Sequence, residues 1–181
     1  MGDRKAPESL LLVQELANTL DIESGTDRLR TADDLERFSH DHGLTALRLD
    51  KHDLAGLREL REALRAACLA HTGAPVPPEA AEALARHLGE APLTLRIGRQ
   101  GEAGLHPAPG LTGLPALTAR LAAGVAAAAA DGTWERLKAC EAHTCQWVYY
   151  DRSPAGRSRW CSMAVCGSRA KMRTYRARRA P

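Results

Sequence analysis

The stretch Cys140-Glu-Ala-His-Thr-Cys145-Gln-Trp-Val-Tyr-Tyr150, followed after a polar turn by Arg159-Trp-Cys161-Ser-Met-Ala-Val-Cys166-Gly-Ser-Arg169, decides how this chain is read. It holds two cysteine pairs, Cys140/Cys145 and Cys161/Cys166, each with four residues between its members and with fifteen residues between the pairs. Structural Zn²⁺ prefers four ligands in a tetrahedron, and four thiolates are a common set. Two close pairs on separate turns can meet on one ion and close a module too small to build its own core. The alternatives are four free thiols, two disulfides, or a site in which His143 replaces one cysteine. Four thiolates would leave no open position for zinc catalysis.

Between the pairs, residues 147–150 read as a strand, with Trp147 and Tyr149 on one face and Val148 and Tyr150 on the other. Residues 151–158 form a turn. The expected shape is a hairpin-like knuckle followed by a helix from about Met163 or Cys166. Trp147 and Trp160 are expected to pack beside the metal site, as core and not as base-stacking platforms. The tail carries Arg169, Lys171, Arg173, Arg176, Arg178 and Arg179, and Arg157 and Arg159 precede it. Met172 and Tyr175 are expected to face the cysteine module, with the cations on the rest of the helix. No acidic residue follows Asp151, so this is not a balanced salt-bridged face. Cations in such an array suit phosphate contacts. The plainer reading is a solvated basic helix that offsets the negative charge of a zinc–tetrathiolate centre.

Charge and cysteine usage divide the 181-residue chain at the same place. Residues 1–139 carry 16 Lys+Arg and 20 Asp+Glu, while residues 140–181 carry nine Lys+Arg against Glu141 and Asp151. An acidic body joined to a basic segment suggests a polyanionic partner for that segment. Four of the five cysteines lie in this basic segment, and in a reducing compartment clustered cysteines are more often metal ligands than disulfides. No apolar region behind the N-terminus resembles a signal peptide. The Ala-rich stretch Leu121–Ala130 is too short to span a bilayer and contains Gly124. A cytoplasmic protein without a membrane partner is expected.

The preceding residues read as mostly helical. Leu12, Val13, Leu16 and Leu20 give helical spacing over 7–20. Thr31 and Asp34 form a capping-box pattern for a helix ending near His42. Leu54, Leu57, Leu60, Leu64 and Cys68 mark the clearest helix, over 51–71. Pro77-Pro78 opens another to Leu88. Residues 93–97 alternate as a strand, with a return strand from Leu105 made short or an edge by Pro107 and Pro109. A helix follows over 115–130 and a short one over 134–139. The fold class is thus mostly α with a small β-hairpin (α+β): a helical N-terminal domain over 5–135 and a four-cysteine module over 136–181. His40 and His42 flank Asp41 at a helix end and read as solvated, with metal binding as the alternative. Asn18 and Thr19 close the first helix by bonding nearby backbone, or line a ligand pocket between helices.

At the cysteine module the sequence resembles the CGNR zinc finger family. The resemblance rests on Cys140-x4-Cys145-x-Trp147-x-Tyr149-x-Asp151-x-Ser153, on Arg159-Trp160-Cys161-Ser162-Met163, and on Cys166-Gly167-Ser168-Arg169-x-Lys171. The family's tetrapeptide reads Cys-Gly-Ser-Arg here, with Ser168 at the usual Asn. The body resembles ABATE, a stress-induced transcription regulator domain found before this finger. That likeness rests on Leu16-Ala17-Asn18-Thr19-Leu20 and on Asp53-Leu54-x2-Leu57-Arg58-x-Leu60-Arg61-x-Ala63-Leu64. The resemblance implies a bacterial transcription regulator that binds zinc and, through its basic finger, DNA.

Three functions are therefore weighed. The first is a DNA-binding regulator in which Arg157, Arg159, Arg169, Lys171, Arg173, Arg176, Arg178 and Arg179 engage DNA. Its N-terminal domain is expected to bind an unknown small-molecule effector or to form a homodimer. The second is a protein-interaction adaptor, and the third is an enzyme with its pocket in the helical body. No dinucleotide-binding, P-loop, zinc-protease or nucleophile-elbow motif is present, and no catalytic residue is assigned.

Overall fold

The computed structural model describes residues 4–179 and shows an α+β protein. In chain order its elements are α1 (Glu8–Ala17), β1 (Leu20–Asp21), β2 (Thr26–Asp27), α2 (Ala32–Asp41), α3 (Leu54–Ala70), α4 (Pro78–Gly89), β3 (Leu93–Ile97), β4 (Ala103–Pro107), α5 (Gly113–Ala130), β5 (Leu137–Ala139), β6 (Val148–Tyr150) and α6 (Ser168–Ala177). The strands form three separate antiparallel pairs.

The core forms where the apolar faces of α1, α3 and α5 converge. Leu10, Val13 and Leu16 meet Leu57, Leu60 and Leu64, with Leu117 and Leu121 completing the layer. The pattern read over 51–71 is realised: Leu54, Leu57, Leu60, Leu64 and Cys68 are all buried. Burial pushes the Cys68 thiol up to about 12, so it behaves as a small apolar side chain. Thr31 caps α2 as expected: Asp34 N–H donates to the Thr31 hydroxyl at 3.2 Å and Thr31 N–H donates back to the Asp34 carboxylate at 2.8 Å.

Four expectations need correction. The first helix stops at Ala17, not residue 20, because the chain reverses through Asn18 and Thr19 into the β1–β2 ladder. Residues 134–139 are not a helix: Trp134–Arg136 make one 3₁₀ turn and Leu137–Ala139 form a strand paired with Val148–Tyr150. The alternating face of β3 does not enter the core. Leu95 and Ile97 are 60% and 71% exposed, because the two-stranded β3–β4 sheet packs against α5 without burying these side chains. His42 is half-buried, 3.0 Å from Glu15 and with its ring tilted 53° against Phe38, instead of solvated.

The core does not end where the helical body ends. Leu137, Ala139, Val148 and Tyr150 are buried in the same apolar cluster as Leu10 and Leu57. Residues on both sides of the 135/136 division thus share one apolar cluster. Two arginines of α3 brace the opposite side. Arg61, almost fully buried, grips Asp27 through two bonds of 2.7 and 3.1 Å. Arg58 donates to the Leu29 and Arg30 carbonyls at 2.8 and 3.0 Å.

Among the described residues α5 is the one helix long and apolar enough to cross a bilayer by length and composition. Here it packs against α1, α4 and β4. At its crossing with α1 a Cβ on Gly124 would lie 2.1 Å from the Ser9 carbonyl oxygen, a backbone atom with no freedom to retreat. Replacing Gly124 with Val should therefore cost about 2 kcal/mol or more through overpacking. Chemical denaturation of purified protein reads this directly, and an unchanged midpoint would contradict the tight crossing.

Candidate metal centre and basic surface

The hairpin β5–β6 carries the site because strand residues alternate between its faces. Val148 and Tyr150 point into the body core, while Tyr149 joins Cys140 and Cys166 in a second buried cluster. Asn18 fixes this strand. Its amide Nδ2 donates to the Val148 carbonyl and its Oδ1 accepts from Val148 N–H, both at 2.8 Å, as a neighbouring strand would. Arg65, buried on α3, donates to the Gln146 carbonyl at 2.9 Å and to the Ala17 carbonyl at 2.5 Å. The end of α1 and the first cysteine turn are thereby tied to one guanidinium.

That turn runs from Cys140 to Gln146. Cys145 and Gln146 N–H both donate to the Ala142 carbonyl, and Gln146 takes the left-handed conformation (φ 47°) that lets the chain double back into β6. Glu141 N–H donates to the Arg159 carbonyl at 3.1 Å, which brings the second cysteine segment alongside. Cys166 lies in a π turn, Met163–Gly167, whose start is capped by the Ser162 hydroxyl. Gly167 has an ordinary backbone conformation, but a Cβ there would press within 3.1 Å of Met163 and 3.2 Å of Trp160. Ser168, where the family motif has Asn, donates its hydroxyl to the Met163 carbonyl at 3.2 Å and so closes the same turn.

These turns bring all four sulfurs within 4.8 Å of one another. Cys145 and Cys161 sulfurs are 3.6 Å apart, Cys161 and Cys166 sulfurs 3.7 Å. A tetrahedral zinc with Zn–S bonds near 2.3 Å needs sulfur–sulfur separations of about 3.8 Å, so the donor set fits the ion. None of the cysteines is disulfide-bonded. His143 lies on the exposed outside of the first turn and is not part of the cluster. The Cys140 thiol is held far below its ordinary value by hydrogen bonds from the Cys145 and Cys161 thiols and then by backbone N–H groups. Cys161 is driven the other way by the same crowding. Zinc, when bound, would hold the four sulfurs as thiolates, offset half of their charge and cross-link the two turns.

Next to the cluster lies a buried ion pair that sequence reasoning missed. Lys138 on β5 and Asp151 after β6 are 3.3 Å apart, with side chains 5% and 1% exposed. Asp151 also accepts from Ser153 N–H, Ser158 N–H and the Ser158 hydroxyl, all within 3.0 Å. Burial pushes the Asp151 carboxyl up, but hydrogen bonds from Ser153 and Ser158 outweigh it and leave the group well below the usual carboxylate range. The family motif's Asp-x-Ser is therefore a brace for the 151–158 turn. Its signal in the sequence was a lone lysine flanked by apolar residues at 137 and 139.

The aromatic and basic residues are distributed differently from expectation. Trp160 packs on the cysteine cluster, but Trp147 does not: it turns into a cleft between the finger and the body. Met172 and Tyr175 do not face the module. Each is 49% exposed, because α6 runs outward from the zinc turns and Lys171–Arg179 are exposed throughout. Tyr175 instead lies under Arg179, 4.8 Å from its guanidinium carbon. Arg159 is bound by Glu141 through two contacts of 2.5 Å, and Arg169 by Glu23 of the β1–β2 turn at 2.6 Å. Arg157, Lys171, Arg173, Arg176, Arg178 and Arg179 face solvent without a carboxylate partner among the described residues. Asn18 and Thr19 line the cleft, although the Asn18 amide is committed to Val148 and the Thr19 hydroxyl donates to the Leu16 carbonyl at 2.7 Å.

Two outcomes follow. Cys161→Ser should reduce bound zinc from about one ion per chain to near zero and unfold the turns around it, because metal binding supplies their folding energy. Elemental analysis with near-ultraviolet circular dichroism measures both, and retention of the metal would contradict the assignment. Asp151→Asn strands a buried lysine without its counter-charge and should cost roughly 3–5 kcal/mol in urea denaturation. The double variant Lys138→Met/Asp151→Asn should recover part of that loss, because it removes the unpaired charge and keeps a side-chain acceptor for Ser153 and Ser158. Equal stability of Asp151→Asn and the parent would contradict the brace.

Comparison with known proteins agrees with this geometry. Residues 136–179 match the family model for the CGNR zinc finger, and residues 11–132 match the model for ABATE, described as "Putative stress-induced transcription regulator". No curated protein matches the chain. The ABATE match spans well over half of the 181 residues. The chain belongs to the ABATE family and ends in a CGNR zinc finger whose four cysteines are placed to bind zinc.

Proposed function

We propose that this protein is a DNA-binding transcription regulator of bacterial cytoplasm, in which the zinc turns hold α6 out as a basic arm and the helical body senses a small molecule. The observation that carries the reading is the state of that arm: from Lys171 to Arg179 every residue is exposed, and its five cations have no carboxylate partner among the described residues. A helix that spent its cations on packing would bury their stems or pair their heads. This one leaves them available to a polyanion. Phosphate contacts by Lys and Arg release counterions and give salt-dependent affinity, and an Arg that reaches a groove can read a guanine edge. Arg157 lies on the exposed turn before the second cysteine pair and adds to the same charge.

Arg159 and Arg169 have a different part in this reading. Both are already held by carboxylates, so they serve first to fix the finger and contact phosphate only by exchanging partners. The family points to a regulator and not to an enzyme. Sensing is supported by a cleft of about 710 Å³ between body and finger, of the size that holds small organic ligands.

The test is equilibrium binding to duplex DNA across a salt series. The parent should bind with affinity that falls steeply as salt rises. Arg173→Glu/Arg176→Glu should weaken binding at least tenfold at about 0.1 M salt and flatten the log–log slope by about two, with zinc content unchanged. Parent protein that fails to shift any DNA at low salt, or a variant that binds as tightly as the parent, would overturn the reading.

A further inference from the structure

The cleft beside the finger has a wall from each half of the chain. Phe38 of α2 and Leu11 of α1 form the body side, and Trp147, Tyr149 and the zinc-ligand candidate Cys161 form the finger side. Phe38 and Tyr149 are buried and Trp147 is half-buried, so flat apolar surface lines both sides. The charged groups around it are not equivalent. The Asp34 carboxylate is taken up by Thr31, Arg30 N–H and Arg37, which holds it below its ordinary value. Glu15 is paired with His42, and Asp41, at the solvent edge with its side chain 72% exposed, lies 3.5 Å from His40.

Two cations of the lining have no such neutralisation. Arg28 donates to the Asn18 carbonyl at 3.0 Å, and Arg4 donates to the Trp160 carbonyl at 3.0 Å and lies over the Tyr149 ring. Neither forms an ion pair with a carboxylate among the described residues. A guanidinium has five donors in a fixed fork that matches a carboxylate, and each of these has most of that fork unspent. The amide of Asn18 and the hydroxyl of Thr19 are already satisfied, so recognition falls to the arginines.

We infer that the cleft binds a small organic carboxylate with a flat apolar body, its anion held by Arg28 and Arg4 and its ring placed between Phe38 and Trp147. The inference rests on the reading of the body as a sensor and is independent of DNA binding. Such a ligand touches α1, α2 and the finger at once, and it reaches the finger at Trp147 and beside Cys161. It would therefore stabilise the seating of the zinc module on the body, by as much as its own binding free energy.

Benzoate is the probe, with benzamide and benzylamine as neutral and cationic analogues of the same shape. The full chain with zinc, without DNA, is titrated while the Trp147 indole N–H resonance is followed; Trp147→Phe assigns that resonance. Benzoate should shift it saturably at up to about 20 mM, as expected for so small a ligand. Benzamide and benzylamine should bind at least tenfold more weakly. Arg28→Gln should weaken benzoate at least fivefold while zinc content and melting temperature stay unchanged, because Arg28 is exposed. Three results would overturn the inference: no saturable shift with benzoate, equal binding of the three probes, or benzoate binding unaltered by Arg28→Gln. None of these would touch the salt-dependence result with DNA, and loss of DNA binding would not touch them.

Discussion

Asn18 acts as a strand. Its side-chain amide meets the main chain of Val148 through two 2.8 Å hydrogen bonds, across 130 residues of sequence, in a fully buried setting. The placement of the zinc turns on the body depends on this pairing. Without it, the Val148 N–H would be left unpaired in an apolar core, and the Val148 carbonyl would keep only a 3.2 Å bond from the Gln14 amide. Such a group costs about 1–3 kcal/mol to leave unsatisfied. With it, β6 has a partner on each side: β5 by ordinary ladder bonds and Asn18 by mimicry. The alternation of β6 then does the rest, since Val148 and Tyr150 belong to the body's core and Tyr149 to the cysteine cluster. A finger placed in this way is not a bead on a string. It shares one apolar interior with α1 and α3, and Arg65 ties the same three pieces from the other side.

The family motifs acquire physical meanings from this arrangement. In the α3 motif the leucines face the core, while Arg58 and Arg61 hold the 27–30 segment that follows β2. In the finger motif Gly167 is favoured by space and not by backbone freedom, since a methyl there would crowd the Met163 side-chain end and the Trp160 ring at 3.1–3.2 Å. Ser168 closes its turn with one hydrogen bond to the Met163 carbonyl, a role for which a hydroxyl suffices. Asp151 orders the hairpin's return turn and balances Lys138. Most of the polar residues that give the sequence its family character are thus clamps on backbone, and the candidate ligand-contacting groups are the plainer arginines around them.

Much of this was legible beforehand. The helical periodicity of α3, the capping box of α2, the β3–β4 hairpin and the cysteine tetrad all rest on local spacing, and local spacing is what a sequence displays. What stayed hidden was long-range partnership. The Asn18 amide looked like a helix-end residue or a pocket wall because nothing near it in sequence reveals Val148. Residues 137–139 read as helix because three residues are too few to show a period. Met172 and Tyr175 have helical spacing, but spacing cannot say whether any surface lies opposite. Here none does, since α6 leaves the module instead of folding back on it. The β3 alternation failed for a related reason: the pattern is real, but the packing of the hairpin on α5 leaves Leu95 and Ile97 in solvent.

The direction of α6 sharpens the question of what sets its orientation. The Arg169–Glu23 pair joins its first turn to the body, but both side chains are about half exposed, and such pairs hold little against salt or a competing anion. A phosphate backbone would displace Glu23 readily. The π turn at Met163–Gly167 is different. It ends in a metal-ligand candidate, Cys166, and is closed by Ser162 at its start and Ser168 at its end. Since α6 begins at Ser168 without a break, its axis is inherited from the sulfur cluster. The ion pair adjusts the arm, and the tetrad aims it. A cleft that touches Trp147 and Cys161 therefore sits beside the elements that determine where the basic helix points. Charge at the tip and apolar packing at the root are then joined through a single small cluster.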